Sequence, residues 1–200
     1  MQVIGVCGGS GSGKGELCRL FAEIGIPSID TDALYHDMTA GRNSLTEALA
    51  ARFGEDILDA NGALCRARLS AKVFAHGASA ELADLNRITH FHILAGVRVW
   101  LAQCREKGVP AALVDAPVLF ESGFDRECDA IICVTAPRDL RIARIVERDK
   151  ISVADAERRI AAQKSDAYLI DRCGSHIINA GNLDSLRARV REVAQKILDK

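Results

Sequence analysis

The sequence predicts an α/β fold, a parallel sheet of five strands flanked by helices. Two observations carry the prediction. Short β-branched apolar runs recur at residues 3–6, 26–29, 111–114, 130–134 and 177–178, with helical patterns between them, as in parallel strands covered on both faces. The first run then turns through glycines directly into a helical pattern. A chain of 200 residues with 48% hydrophobic and 26% charged residues has the composition of one ordinary globular domain.

Taken in order, the first strand, with Val3, Ile4 and Val6, leads into Gly8-x-x-x-x-Gly13-Lys14. Glu16, Leu17, Leu20 and Phe21 follow at helical spacing. Strand, glycine loop, lysine and helix in this order form a phosphate-binding loop (P-loop). Main-chain N–H groups of Gly9, Gly11, Ser12, Gly13, Lys14, Gly15 and Glu16 are placed to cradle a polyphosphate. The helix N-terminus adds partial positive charge, and the Lys14 ammonium bridges the outer phosphates. The fold class is therefore of the P-loop NTPase type, and the ligand is a nucleoside triphosphate.

After Lys14 this motif normally offers Ser or Thr, whose hydroxyl ligates Mg²⁺; here Gly15 stands in that place. Mg²⁺ keeps several waters, so a water can complete its shell. A non-catalytic nucleotide-binding homologue is the alternative that Gly15 leaves open.

The second run ends in Asp30-Thr31-Asp32. One reading gives these carboxylates an acceptor hydroxyl and a metal to serve. The other gives one of them a helix to cap near Ala33. The residues alone favour neither. Residues 32–107 read mainly as helix, and Leu82, Leu85, Ile88, Ile93, Val97, Leu101 and Cys104 mark a packing face. This region is a helical insertion between the second and third strands. His90 within it suits a structural role as well as a catalytic one.

The third run ends in Asp115, placed as a Walker B aspartate that would hold a magnesium-bound water; a turn residue ahead of Pro117 is the other reading. Pro137 follows the fourth run at a helix start, and Ser152-x-x-Asp155 marks another. Arg141, Arg144 and Arg148 share a helix face, either closing over the triphosphate or forming a solvated surface. That stretch, about residues 140–168, reads as a lid. The fifth run ends in Asn179.

A net charge of −1 gives no general attraction to nucleic acid or anionic membrane. Seven cysteines without a CxxC spacing read as reduced thiols used as small apolar residues, hence a cytoplasmic protein. The N-terminus enters the first strand at once, without a signal-peptide pattern, and no apolar run approaches membrane-spanning length.

The assembled pattern resembles the dephospho-CoA kinases, P-loop kinases that phosphorylate the ribose 3′-hydroxyl of dephospho-coenzyme A in the last step of coenzyme A synthesis. The resemblance spans nearly the whole chain. It rests on GVCGGSGSGKGEL at residues 5–17, SIDTDAL at 28–34, Leu64-Cys65-Arg66 with Leu69 and Val73-Phe74, and Leu85 to His90. Asp115-Ala116-Pro117-Val118-Leu119-Phe120-Glu121, Arg144 with Arg148, Arg159-Ile160 with Gln163, and Ile178-Asn179 extend it.

The resemblance implies ATP and dephospho-CoA as substrates and Mg²⁺ as cofactor. It implies Asp32 as the base, Lys14 as the other catalytic residue, and Asp30 near the metal with Asp115, in part through water. Arg66 and His90 would line the dephospho-CoA side, Arg144 would approach the ATP phosphates, and Asn179 would lie near adenine. The expected species is a monomer or weak homo-oligomer of one domain, residues 1–200. Besides Gly15, Phe91 stands where the family has proline after His90, and Tyr35-His36 where it commonly has Ala-Arg. Another small-molecule P-loop kinase is the second alternative.

Overall fold

The computed structural model describes residues 1–75 and 79–199. The chain runs β1 (Gln2–Cys7), α1 (Lys14–Glu23), β2 (Ser28–Asp30), α2 (Thr31–Met38), α3 (Ser44–Phe53), α4 (Arg66–Val73) and α5 (Ser79–Glu106). It continues β3 (Ala111–Asp115), β4 (Ala130–Thr135), α6 (Arg138–Asp149), α7 (Val153–Ala161), α8 (Asp166–Ile170), β5 (Ser175–Ile178) and α9 (Leu183–Leu198). Two compact units result, Met1–Ile29 with Leu101 onward, and Asp30–Trp100.

The five strands form one sheet in the order β2-β3-β1-β4-β5. β1 pairs in parallel with both β3 and β4, and β4 with β5. Central position explains composition: β3 is buried at all five residues, and β1 at every residue after Gln2. Strands covered on both faces have no reason to alternate. One face is covered by α1 and α9, whose Leu17, Leu20 and Phe21, and Val190, Ala194 and Ile197, pack on Ile4, Val6 and Ile132. Full burial of a side chain such as Phe21 contributes about 1.5–3 kcal/mol.

The edge strands depart from the expected bounds for local reasons. β2 begins at Ser28 rather than at residue 26. Pro27 has no N–H to give a ladder, although its carbonyl accepts from Leu113 N at 2.8 Å. Ile26 instead fills the core, 1% exposed. β5 begins earlier than expected, at Ser175. Its polar start, where His176 Nε2 meets Thr135 Oγ1 at 2.8 Å, hides a strand from an apolar search.

α6 starts after Pro137 and α7 after Ser152, whose hydroxyl accepts from Asp155 N. Ile142, Ile145 and Ala156 give this helical pair an apolar centre of its own.

The second unit is helical, as the stretch 32–107 predicts, although residues 76–78 lie outside the described residues. Asn43 and Thr46 form a capping box on α3. Leu45, Leu49, Phe53, Ile57, Leu69 and Val73 are its core, with Leu85 and Ile88 of α5 packed against them.

Candidate active site

The P-loop joins β1 to α1, and Gly13, at φ 96°, turns the chain into the helix. A Cβ there would stand 2.1 Å from Asn179 Nδ2, and one on Gly11, at φ 75°, would stand 2.6 Å from the Arg141 carbonyl oxygen. Both positions thus require glycine for conformation and for space. Lys14 Nζ folds back over the loop and donates to Gly8 O at 2.9 Å. Ser12 is 1% exposed, and among the described residues its Oγ has no hydrogen-bond partner.

Distant parts of the chain brace the loop from outside. Arg141, 6% exposed, donates through Nε to Ser10 O at 2.9 Å, through Nη2 to Gln163 Oε1 at 3.1 Å and through Nη1 to Asp166 Oδ1 at 3.1 Å. Gln163 in turn accepts from Ser10 N at 2.9 Å and donates to Ser10 Oγ at 2.7 Å. One buried guanidinium and one amide therefore hold the C=O and the N–H of a single residue, Ser10. Asn179 donates through Nδ2 to Ser12 O at 2.9 Å, and its own N–H donates to Thr135 O at 2.7 Å at the end of β4.

Arg144 is held more loosely. Its Nη1 lies 3.1 Å from Gly11 O and 3.4 Å from Ser12 O, and Nη2 lies 3.4 Å from Asn179 Oδ1. Long bonds to loop carbonyls leave this cation able to turn to an anion above the loop. Arg148 is engaged differently, at the surface, where its Nε and Nη2 donate to the Asp149 carboxylate. Arg148 and Arg159 together hold the Asp149 carboxyl down to about 2. The face of three arginines thus divides, with Arg141 under the loop, Arg144 on it and Arg148 in solvent.

Asp115 ends β3 in register with Val6 of β1, two residues before the P-loop, and is 8% exposed. A buried carboxylate at the end of a central strand is costly without a role. Gly15, in the first turn of α1, has nothing within 4 Å of the position a Cβ would take. Glu16, beside it, is tied to Arg19 by a salt bridge of 2.6 Å, which lowers its carboxyl pKa.

In the second unit, Asp30 is the N-cap of α2, its Oδ1 accepting from Asp32 N at 2.8 Å and Ala33 N at 3.1 Å. Of the two readings of this pair, the cap belongs to Asp30. Asp32 is exposed in the first helical turn. Arg66, at the start of α4, lies over the Tyr35 ring at 5.7 Å. Tyr35 thus gives a guanidinium an aromatic floor. His90 is half-buried on α5 beside Thr89, whose hydroxyl bonds back to Leu85 O.

Sequence reasoning missed the brace. Arg141 was one of three on a face and Gln163 one letter in a pattern; only the fold brings them to Ser10, more than 130 positions away.

The family model CoaE, dephospho-CoA kinase, matches residues 2–185. A dephospho-CoA kinase of Corynebacterium diphtheriae is 36% identical over 98% of this chain and 97% of its own length. One from Moorella thermoacetica is 37% identical over 98% and 92%. Among solved structures, TT1252 from Thermus thermophilus superposes with a TM-score of 0.78 at 26% identity, covering 98% of this chain and 97% of that one. A shikimate kinase from Acinetobacter baumannii shares the fold alone, at a TM-score of 0.59 and 15% identity over 100% and 94%. By its loop, its full-length match and its relatives, the chain belongs to the dephospho-CoA kinase family.

Proposed function

We propose a division of labour for the reaction this family performs, phosphoryl transfer from ATP to the ribose 3′-hydroxyl of dephospho-CoA in the last step of coenzyme A synthesis. The observation that carries it is the convergence of Lys14, Arg144 and the glycine cradle on one loop. ATP displaces Lys14 from Gly8 O, and the ammonium then bridges the outer phosphates. N–H groups of Gly9, Gly11, Ser12, Gly13, Lys14, Gly15 and Glu16 take phosphate oxygens at the α1 N-terminus. Arg144 exchanges loop carbonyls for phosphate and stabilises charge developing in transfer. Asn179 keeps the Ser12 carbonyl turned away from the nucleotide.

Asp32 accepts the proton of the 3′-hydroxyl as that oxygen bonds to the γ-phosphorus, and the bond to the β,γ-bridging oxygen breaks to release ADP. Arg66, on its tyrosine floor, and His90 hold the dephospho-CoA side. The donor set suits Mg²⁺, a hard ion that takes carboxylate and water oxygens. Asp115 and Asp30 would hold it partly through water, and the open space at Gly15 leaves room for a water where a hydroxyl would stand. When bound, Mg²⁺ neutralises the β,γ-phosphate charge. The free thiols at all seven cysteines support a cytoplasmic setting, and no described helix is long and apolar enough to cross a membrane.

ADP release measured with ATP alone, with ATP and dephospho-CoA, and with ATP and shikimate tests the reading. Turnover should need dephospho-CoA. Equal turnover with shikimate, or none with either, would refute it.

A further inference from the structure

Three cysteines that phosphoryl transfer does not use converge at the root of the P-loop. Cys7 is the last residue of β1, immediately before Gly8, and Cys133 is its register partner on β4. Cys173 lies in the turn between α8 and β5. Their sulfurs all lie within 4.8 Å of one another, with Cys7 Sγ and Cys173 Sγ 3.4 Å apart. Cys7 and Cys133 are 2% and 0% exposed, and Cys173 is half-buried.

A buried cysteine by itself is ordinary packing, since the thiol behaves as a small apolar group. Packing does not require three sulfurs from three parts of the chain to surround one point. Metal ligation does: thiolates each about 2.3 Å from a common ion stand about 4 Å from one another in a trigonal plane. His176, the register partner of Cys133 on β5, has its Nε2 engaged by Thr135 Oγ1, so the ligand group is all sulfur.

The three sulfurs release their protons to solvent as metal–sulfur bonds form.

We propose that Cys7, Cys133 and Cys173 form a three-sulfur site for a soft cation, Cu(I) foremost, beneath the phosphate loop. Thiolate sulfur selects soft ions over the hard Mg²⁺ of the kinase reaction. Zn²⁺ in a structural site takes four ligands, whereas Cu(I) is satisfied by three. The inference stands apart from the kinase reading, because none of these residues contacts a reacting group in it.

The test uses the reduced, full-length protein without oxygen, titrated with Cu(I) against a coloured Cu(I) chelator and separately with Zn²⁺. One equivalent of Cu(I) should leave the chelator, X-ray absorption should show three sulfur neighbours, and Zn²⁺ should bind more weakly. Cys173→Ser should weaken uptake at least tenfold and leave two sulfurs, while Cys65→Ser should match the parent. Bound Cu(I) should also protect Cys173 of the unaltered protein from alkylation, read by mass spectrometry, so the outcome does not depend on any variant folding. Failure to compete with the chelator, uptake unchanged by Cys173→Ser, absence of protection, or tighter binding of Zn²⁺ would overturn the proposal. So would a Cys7–Cys173 disulfide as the sole change.

Discussion

Gly15→Ser restores the hydroxyl that a P-loop usually presents to Mg²⁺, at a position where the structure can receive it. An added Cβ meets nothing within 4 Å, and the residue sits in the first turn of α1 without a positive φ. Serine is a better helix former than glycine by roughly 0.3–0.5 kcal/mol. For a chain of this size that raises Tm by about 1–2 °C, so stability should hold or improve slightly. The metal effect is separable. Replacing a water by a tethered hydroxyl is taken as one net polar contact, about 1 kcal/mol or fivefold in affinity. Half-saturating free Mg²⁺, measured from turnover at saturating ATP and dephospho-CoA, should therefore fall about fivefold. The KM for ATP at saturating Mg²⁺ should stay within about twofold, because the cradle glycines are untouched. An unchanged or weaker Mg²⁺ dependence, with Tm preserved, would refute the reasoning and mean that the shell is already complete without this position.

Two further predictions separate the lid arginines. Arg141→Ala removes a buried cation from Ser10 O, Gln163 and Asp166. With Asp166 36% exposed, the full cost of breaking a buried pair must be discounted. A loss of about 2–3 kcal/mol remains, and calorimetry should show Tm lowered by roughly 5–10 °C; a shift under about 1 °C would mean that the brace does not hold the loop. Arg144→Ala, with its longer bonds, should leave Tm nearly unchanged yet lower kcat/KM by several-fold to ~10³-fold. Arg158→Ala, paired with Asp155 at the surface, should change neither; equal small effects of the two substitutions on kcat/KM would make Arg144 surface charge.

What the sequence disclosed was local. The P-loop, its strand and its helix are written in adjacent residues, because glycine, lysine and apolar spacing act within a few positions. Ser152 and Pro137 announced their helices for the same reason. Asp30 and Asp32 could not be told apart, since an N-cap and a reactive carboxylate are the same residue type at the same strand end; the backbone bonds to Asp30 Oδ1 separate them. Register was the hidden quantity. Cys7 and Cys133 read as unrelated apolar thiols until β1 and β4 aligned them. Arg141 read as one of three arginines on a helix face, and Gln163 as part of the resemblance, with no partner for either until α6 and the residues after α7 came against Ser10. Pro27 shortened β2, and a polar start concealed half of β5.

The central claim is that a carboxylate at Asp32 takes the proton of the dephospho-CoA 3′-hydroxyl while the P-loop holds ATP. Asp32→Asn keeps the size of the side chain and removes only its basicity. Steady-state kinetics should show kcat lowered at least ~10²-fold, the scale of losing a general base. The KM for ATP should stay near that of the parent. Turnover at the parent's rate in Asp32→Asn would contradict the account and remove this residue from the chemistry.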